Sequence, residues 1–409
     1  MALPALSPPD AKLHIEAQRE DPDGKGVTLA YQIDDARHDA ECRYRAAGRP
    51  SRSEDLVAVT VDGAPLSSSR LYFLIRFWLS TSDARAADPS PLGDVASLPH
   101  LSRGGAYALQ QTLNALPLTS VYALLAAAYS LVYGLVGRIN LAFGEFASVG
   151  GYAATFGAGL VVSGAPAPML FLALIFALYV SACFGLVASR LVFEPLHRAS
   201  GQIVLVASVG LAIFLQEAMR LSQGPNLHWV SPIFNAPFGV ARSGDFIVAS
   251  APNVLLAAAV MILTGAGLTV LMKWSRFGRD WRAYADDPLA AEMCGISPRG
   301  VFARTFALAS ALAGLAGYVM TMIYGAVGYG AATTLGLKAL VATILGGIGS
   351  IAGAFLGGLL VGGFEALWSS AFPIDFRDIA VFSLLVALLT LRPGGILGAR
   401  ETGRISSSP

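Results

Sequence analysis

The sequence is poor in charge, in cysteine and in histidine. Only 13% of its 409 residues are Asp, Glu, Lys or Arg, about half the share usual in soluble domains. The net charge of +1 leaves no electrostatic footprint for nucleic acid. Three cysteines, Cys42, Cys183 and Cys294, lie too far apart to suggest a disulfide framework. Five histidines are scattered without metal-ligand spacing, so neither a metal site nor a cofactor is expected. A GxxxxGK[ST] loop and a GxSxG elbow are both missing. The chain therefore carries no nucleotide cradle of its own and no legible catalytic constellation, and an enzyme is not expected.

What the sequence has in abundance is apolar length. Hydrophobic residues make up 55%, and several runs reach the roughly 20 residues needed to cross a bilayer. The runs read as Leu113–Val136, Leu141–Val162, Met169–Phe193, Gln202–Leu221, Asn253–Met272, Val301–Tyr324, Leu335–Ile348, Ile351–Ser369 and Asp378–Leu391. The expected fold is an all-α polytopic membrane protein of about nine membrane segments. Half-spans are expected around Gly144–Gly151 and Gly346–Gly353. Residues 105–400 form this membrane domain and 401–409 a short tail.

Residues 1–104 are a different material, holding nearly half of all charged residues. Gly26–Asp34 and Leu56–Val61 read as strands, with Asp62-Gly63 as a turn. The stretch 70–86 orders a basic residue, an apolar core and Ala84-Arg85-Ala86 like a secretory signal, but far from the start. Two readings stay open: a small domain or polar extension, or a true start nearer Leu71.

A charged island, Arg276–Arg304, separates two apolar runs. Its basic residues place it on the cytoplasmic side. The same rule puts Arg138, the Arg190–Arg198 turn and the tail in the cytoplasm. The segments 222–250, 325–330 and 371–377 then face outward, so the core begins outside and ends inside. Lys338 falls near the outer end of its span, where it can snorkel. Within the island, Asp287 suits a helix N-cap, Pro288 the first helical position and Gly295 the C-terminal side. Between them Leu289, Met293 and the Ala290/Cys294 pair share one face. An ordinary connector is the plain alternative.

Charge within a span is costly and marks interior contacts or a water path. Asn140, Glu145, Glu217 and Lys338 are the candidates for a translocation path or helix break; Asn140 and Glu145 sit beside the expected break, and Glu145 reads either as a structural carboxylate or as part of the path. Glu217 and Arg220 are spaced to pair on one helical face. Glu365 lies in the second glycine-rich span with no role assigned. Gly346, Gly347 and Gly349 cluster at a turn inside apolar sequence. Gly349, Gly353 and Gly357 recur every four residues, the spacing of a close-packing face. That face packs within this chain or against a second subunit across a pore.

The stretches GLVGRINLAFGEFASVGGYAA (134–154), IFLQE (213–217), RFGRDWRAYADDPLAAEMCGI (276–296) and LGLKALVATILGGIGSIAGAFLGGLLVGGFEAL (335–367) resemble permease subunits of ABC importers for branched-chain amino acids. That family also includes permeases for urea and short amides. The resemblance runs from about Tyr107 to about Gly398 and implies an inner-membrane pore subunit without a cofactor. It implies as partners cytoplasmic ABC ATPases, a second permease (a homologue or another copy), a periplasmic solute-binding protein and membrane lipid, and no nucleic acid. It assigns the island, 273–304, to ATPase coupling through Arg279, Asp287, Pro288, Leu289, Met293 and Gly295. One departure stands out: Phe143 occupies a place where the family commonly has histidine. From the residues alone, an ion-coupled secondary transporter using Glu145 and Glu217 is the alternative, and a membrane scaffold or receptor a third.

Overall fold

The computed structural model describes residues 13–20, 26–33, 36–44, 56–67, 70–71, 74, 98–161, 166–196, 199–230, 234–244, 246–392 and 394–397. Most of the signal-like stretch 70–86 and the tail 401–409 lie outside the described residues. The chain divides into two compact units, Met1–Ser97 and Leu98–Pro409.

Alternating apolar residues and turn signals make the first unit a five-stranded antiparallel meander. Its strands are β1 (Leu13–Glu20), β2 (Gly26–Ile33), β3 (Ala36–Tyr44), β4 (Leu56–Val61) and β5 (Ala64–Pro65). Both expected strands are present. Asp62 and Gly63 have φ of 52° and 77°, as a two-residue hairpin turn requires. Asp62 accepts from the His38 ring at 2.7 Å and from the Asp39 amide at 2.9 Å. Those bonds hold its carboxyl below the usual carboxylate range. Cys42, Leu56 and Val59 are buried with Leu74 in one cluster, and Tyr31 and Ala40 form a second.

The second unit is a helical bundle. Its long helices are α1 (Arg103–Val136), α2 (Phe143–Gly159), α3 (Pro166–Ala188, continued by a π turn, Ser189–Phe193) and α4 (Gly201–Gln223). After α5 (Pro252–Trp274) come two short helices, α6 (Arg276–Asp286) and α7 (Pro288–Met293). The remainder are α8 (Pro298–Tyr324), α9 (Ala331–Gly346), α10 (Ile351–Ala371) and α11 (Arg377–Leu391). Among the described residues, six helices are long and apolar enough to cross a membrane: α1, α3, α4, α5, α8 and α10. Helices α2, α9 and α11 have 17, 16 and 15 residues.

The polar segment 222–250 is not a plain loop. It holds β6 (His228–Trp229) and a hairpin of β7 (Phe238–Ser243) and β8 (Phe246–Ser250). The hairpin docks on the first turns of α1, burying Ala106 against Ala241 and Val248. Gln110 locks it by donating to the Ala249 carbonyl at 3.1 Å and accepting from the Ala249 amide at 2.9 Å. This explains why α1 starts ten residues before the expected Leu113. Its 34 residues span about 51 Å, more than a bilayer core, and the surplus carries the hairpin.

Helix α1 is apolar on every side, so it occupies the centre. In α1 and α8, 83% and 72% of the most apolar window is buried, against 22%, 17% and 17% in α3, α4 and α5. Lipid supplies no hydrophobic exclusion between helices, so contact depends on small residues. Gly317 packs on the Ala147 carbonyl, Gly357 on the Ala342 carbonyl and Gly353 on the Gly346 carbonyl, each too close for a Cβ. The glycine face of α10 is thus consumed inside the chain, by α9. Gly347 and Gly349, with φ of 108° and 84°, form the tight turn between α9 and α10, and Gly346 ends α9.

Candidate functional site

The charged island forms two helices where the sequence suggested one. Ser275 caps α6 by accepting from the Gly278 amide at 3.0 Å. Helix α6 escaped notice because its charges dominate, although Trp281 and Tyr284 mark one buried face. Trp281 reaches into the bundle. Its indole N–H donates to the Leu131 carbonyl of α1 at 3.1 Å, and its ring lies where a side chain on Gly134 would be. Tyr284 meets Phe302 of α8 edge-on at 5.9 Å. Arg282 donates to the Met272 carbonyl, and Arg279 to the Trp274 carbonyl at 3.3 Å.

The punctuation of α7 matches expectation. The Asp287 carboxylate accepts from the Leu289 and Ala290 amides at 2.9 and 3.1 Å. Pro288 occupies the first turn, and Gly295 has φ of 85°. The amides of Gly295 and Ile296 close the end on the Glu292 and Ala291 carbonyls, both at 3.0 Å. Ala291 is buried, whereas Leu289 and Met293 are 69% and 84% exposed. A capped, anchored helix therefore presents two large apolar side chains outward.

A second set of residues meets at the start of α2. Residues 137–142 fold back, so Phe143 packs against Tyr129 at 5.3 Å, about two turns inside the end of α1. Asn140 accepts from the Ala142 amide at 3.0 Å. The Ser208 hydroxyl of α4 accepts from the Leu141 amide at 3.2 Å. Glu145, in the first turn of α2, is buried, and Thr333 of α9 donates to its Oε1 at 2.7 Å. Gly144 packs on the Ala332 carbonyl and on Gly336, so the N-terminal ends of α2 and α9 converge. Phe143 is wholly enclosed and packs against Phe146 at 5.5 Å.

The third set is a buried charge network. Lys338 of α9 does not snorkel as expected. Its ammonium is buried and lies 3.0 Å from Glu365 and 2.6 Å from Asp378. Opposite charges hold it inside, which removes any gain from reaching the interface. Arg377 lies 2.9 Å from the same Glu365 oxygen, and the Tyr122 hydroxyl donates to the other at 2.7 Å. Sequence spacing could not join these residues, because they come from four helices.

Glu217 and Arg220 pair at 2.6 Å, as their spacing predicted. The Tyr329 hydroxyl adds a bond to Glu217 at 3.1 Å, which pushes the Tyr329 phenol up from its ordinary value. Nearby, β6 pairs with β9 (Ala326–Val327). This pair adjoins a narrow, mostly apolar cavity between α1, α2, α8 and α9, lined in part by Ser148, Thr321, Val327 and Ala332.

A sequence profile described as "Branched-chain amino acid transport system / permease component" matches residues 111–391. The high-affinity branched-chain amino acid transport system permease protein BraD of Pseudomonas aeruginosa is 36% identical, over 73% of this chain and 98% of that protein. The corresponding permease LivH of Escherichia coli K12 is 34% identical, over 73% and 98%. LivM of the same organism is 26% identical over 70% of each chain. The sheet β1–β5 precedes the matched region.

Proposed function

This chain belongs to the family of permease components of branched-chain amino acid transport systems, and from that premise we propose that it is the pore-forming subunit of an ABC importer driven by a cytoplasmic ATPase. Its cargo is a branched-chain amino acid or a related small polar solute such as urea or an amide. Two permeases, this chain with a homologue or with a second copy, line the pore. A periplasmic binding protein delivers cargo from outside, and lipid of the inner membrane surrounds the bundle. The basic residues set the orientation, with the start of the bundle outside and its end in the cytoplasm.

The observation that supports this reading best is α7. This six-residue helix is capped at both ends, and its exposed Leu289 and Met293 suit an apolar groove on a partner. Helix α6 ties it to α1 through Trp281. ATP can bias two pore states only through a contact whose energy differs between them, and this tether carries such a contact to the central helix. Arg279, Asp287, Pro288 and Gly295 shape the connection.

Leu289→Asp puts a charge into that groove. We expect it to abolish uptake while the protein stays in the membrane. Normal uptake by this variant would sink the coupling assignment. Affinity purification from native membranes in mild detergent gives an independent check. Retention of a P-loop ATPase and a second permease supports the importer. A chain that comes alone, even after cross-linking, favours ion coupling instead.

A further inference from the structure

The basic residues in and beside the charged island are not used alike. At its α8 end Arg299 lies 2.9 Å from Glu194 and Arg304 3.6 Å from Asp280. At its α5 end Lys273, Arg276, Arg279 and Arg282 are exposed, and among the described residues no carboxylate pairs with them. The fold gathers these cations at one corner. The chain turns back after Trp274, so Gly278 packs on the Met272 carbonyl and α6 wraps the last turn of α5. Arg276, Arg279 and Arg282 recur every three residues, on the face of α6 opposite the buried Trp281 and Tyr284. Arg279 and Arg282 each donate to a carbonyl at the end of α5. That helix end carries only about half a negative charge, too little to balance Lys273 and three arginines. A guanidinium also has five donors, so one such bond leaves most of them unused. Below the corner, the little-buried α5 exposes Val270, Leu271 and Trp274 on one face. A tryptophan at the end of a span prefers the headgroup level of a bilayer.

We propose that the corner between α5 and α6 binds the headgroup of an anionic glycerophospholipid in the cytoplasmic leaflet. Lys273, Arg276 and Arg279 meet the phosphate, Trp274 sits at the level of the ester groups, and Val270 and Leu271 meet an acyl chain. The choice of leaflet rests on the importer reading; the chemistry of the corner does not. A zwitterionic headgroup carries its own ammonium beside its phosphate and offers less net attraction. Acidic side chains of a partner protein supply the charge but no acyl chain for the exposed apolar face beneath it. Helix α6 also carries Trp281, the tie to α1. A lipid held here therefore braces the path from the outward-facing α7 to the central helix.

The test uses the complete transporter in nanodiscs of equimolar phosphatidylglycerol and phosphatidylcholine with matched acyl chains. Native mass spectrometry after release into mild detergent reads the ratio of the two lipids still bound. We expect the wild type to retain phosphatidylglycerol in preference. Lys273→Gln combined with Arg276→Gln removes two cations and leaves Arg279 and Trp281 in place. Each cation near an anionic surface is worth about fivefold in affinity, so the preference should fall about twentyfold. Arg276→Lys keeps the charge and should keep the ratio. Arg190→Gln combined with Arg299→Gln removes the same charge from elsewhere on the cytoplasmic side and should also keep it. Equal retention of both lipids by the wild type overturns the proposal. So does a ratio that the control pair lowers as much as the corner pair, because the effect then follows total charge. Loss of the ATPase from the corner pair at an unchanged lipid ratio overturns it too, and assigns the corner to a protein contact. Lipid retention is read without turnover, so a wild-type complex that shows no ATP-driven uptake defeats the importer reading alone.

Discussion

Glu365 has Lys338 at 3.0 Å, Arg377 at 2.9 Å and the Tyr122 hydroxyl at 2.7 Å. Glu145, equally buried, has one threonine hydroxyl. Both carboxylates sit in apolar surroundings where an isolated charge is expensive. At Glu365 the protein supplies the counter-charges itself, drawing them from two helices, α9 and α11, with α1 adding the hydroxyl. At Glu145 the described residues supply a hydroxyl and helix ends but no cation. The first arrangement is closed and ties the short α11 to the bundle. The second holds its carboxylate through one hydroxyl, with no counter-charge among the described residues.

The comparison can be broken by stability measurements in detergent. Glu365→Ala removes the shared carboxylate, leaving buried Lys338 with Asp378 alone and half-buried Arg377 without its near partner, and we expect a loss of about 3–5 kcal/mol, the usual cost of breaking a buried pair. A loss near zero would mean that the network is not holding the bundle. Tyr122→Phe removes one donor and leaves the ion pairs, so thermal unfolding should report a smaller loss, about 1–3 kcal/mol. Thr333→Val removes the hydroxyl that serves Glu145, and the cost should be the smallest, about 0.6 kcal/mol, as typical for hydrogen bonds between membrane helices. The same variant should lower uptake more than stability. A Thr333→Val protein as destabilised as Glu365→Ala would erase the distinction between the two sites.

Local features were legible in the sequence because their causes are local. Asp287, Pro288 and Gly295 punctuate α7 through their own backbone chemistry. Glu217 and Arg220 pair because three residues make most of a helical turn. The turn at Asp62-Gly63 follows from two residues that tolerate positive φ. Helix α6 was harder, since a helix that buries one face under dense charge looks like a linker. Its signal was Ser275 followed by Trp281 and Tyr284. Lys338 was misplaced for a different reason. Its partners stand 27 and 40 residues away, and snorkelling is the sound expectation only for a lysine with nothing inside to meet.

Composition and apolar run length determined that this chain is a multi-pass helical membrane protein, because a bilayer accepts few backbone solutions and each demands a long apolar segment. Short-range spacing determined where α7 begins and ends. Tertiary structure alone decided that α1 is the central helix and that the α10 glycines are used up within the chain. It also decided that α2 begins inside the bundle beside α9, and that one buried acid meets two cations while the other meets a threonine hydroxyl. Those outcomes depend on which helices become neighbours, and neighbours are chosen by packing across the bundle rather than by order along the chain.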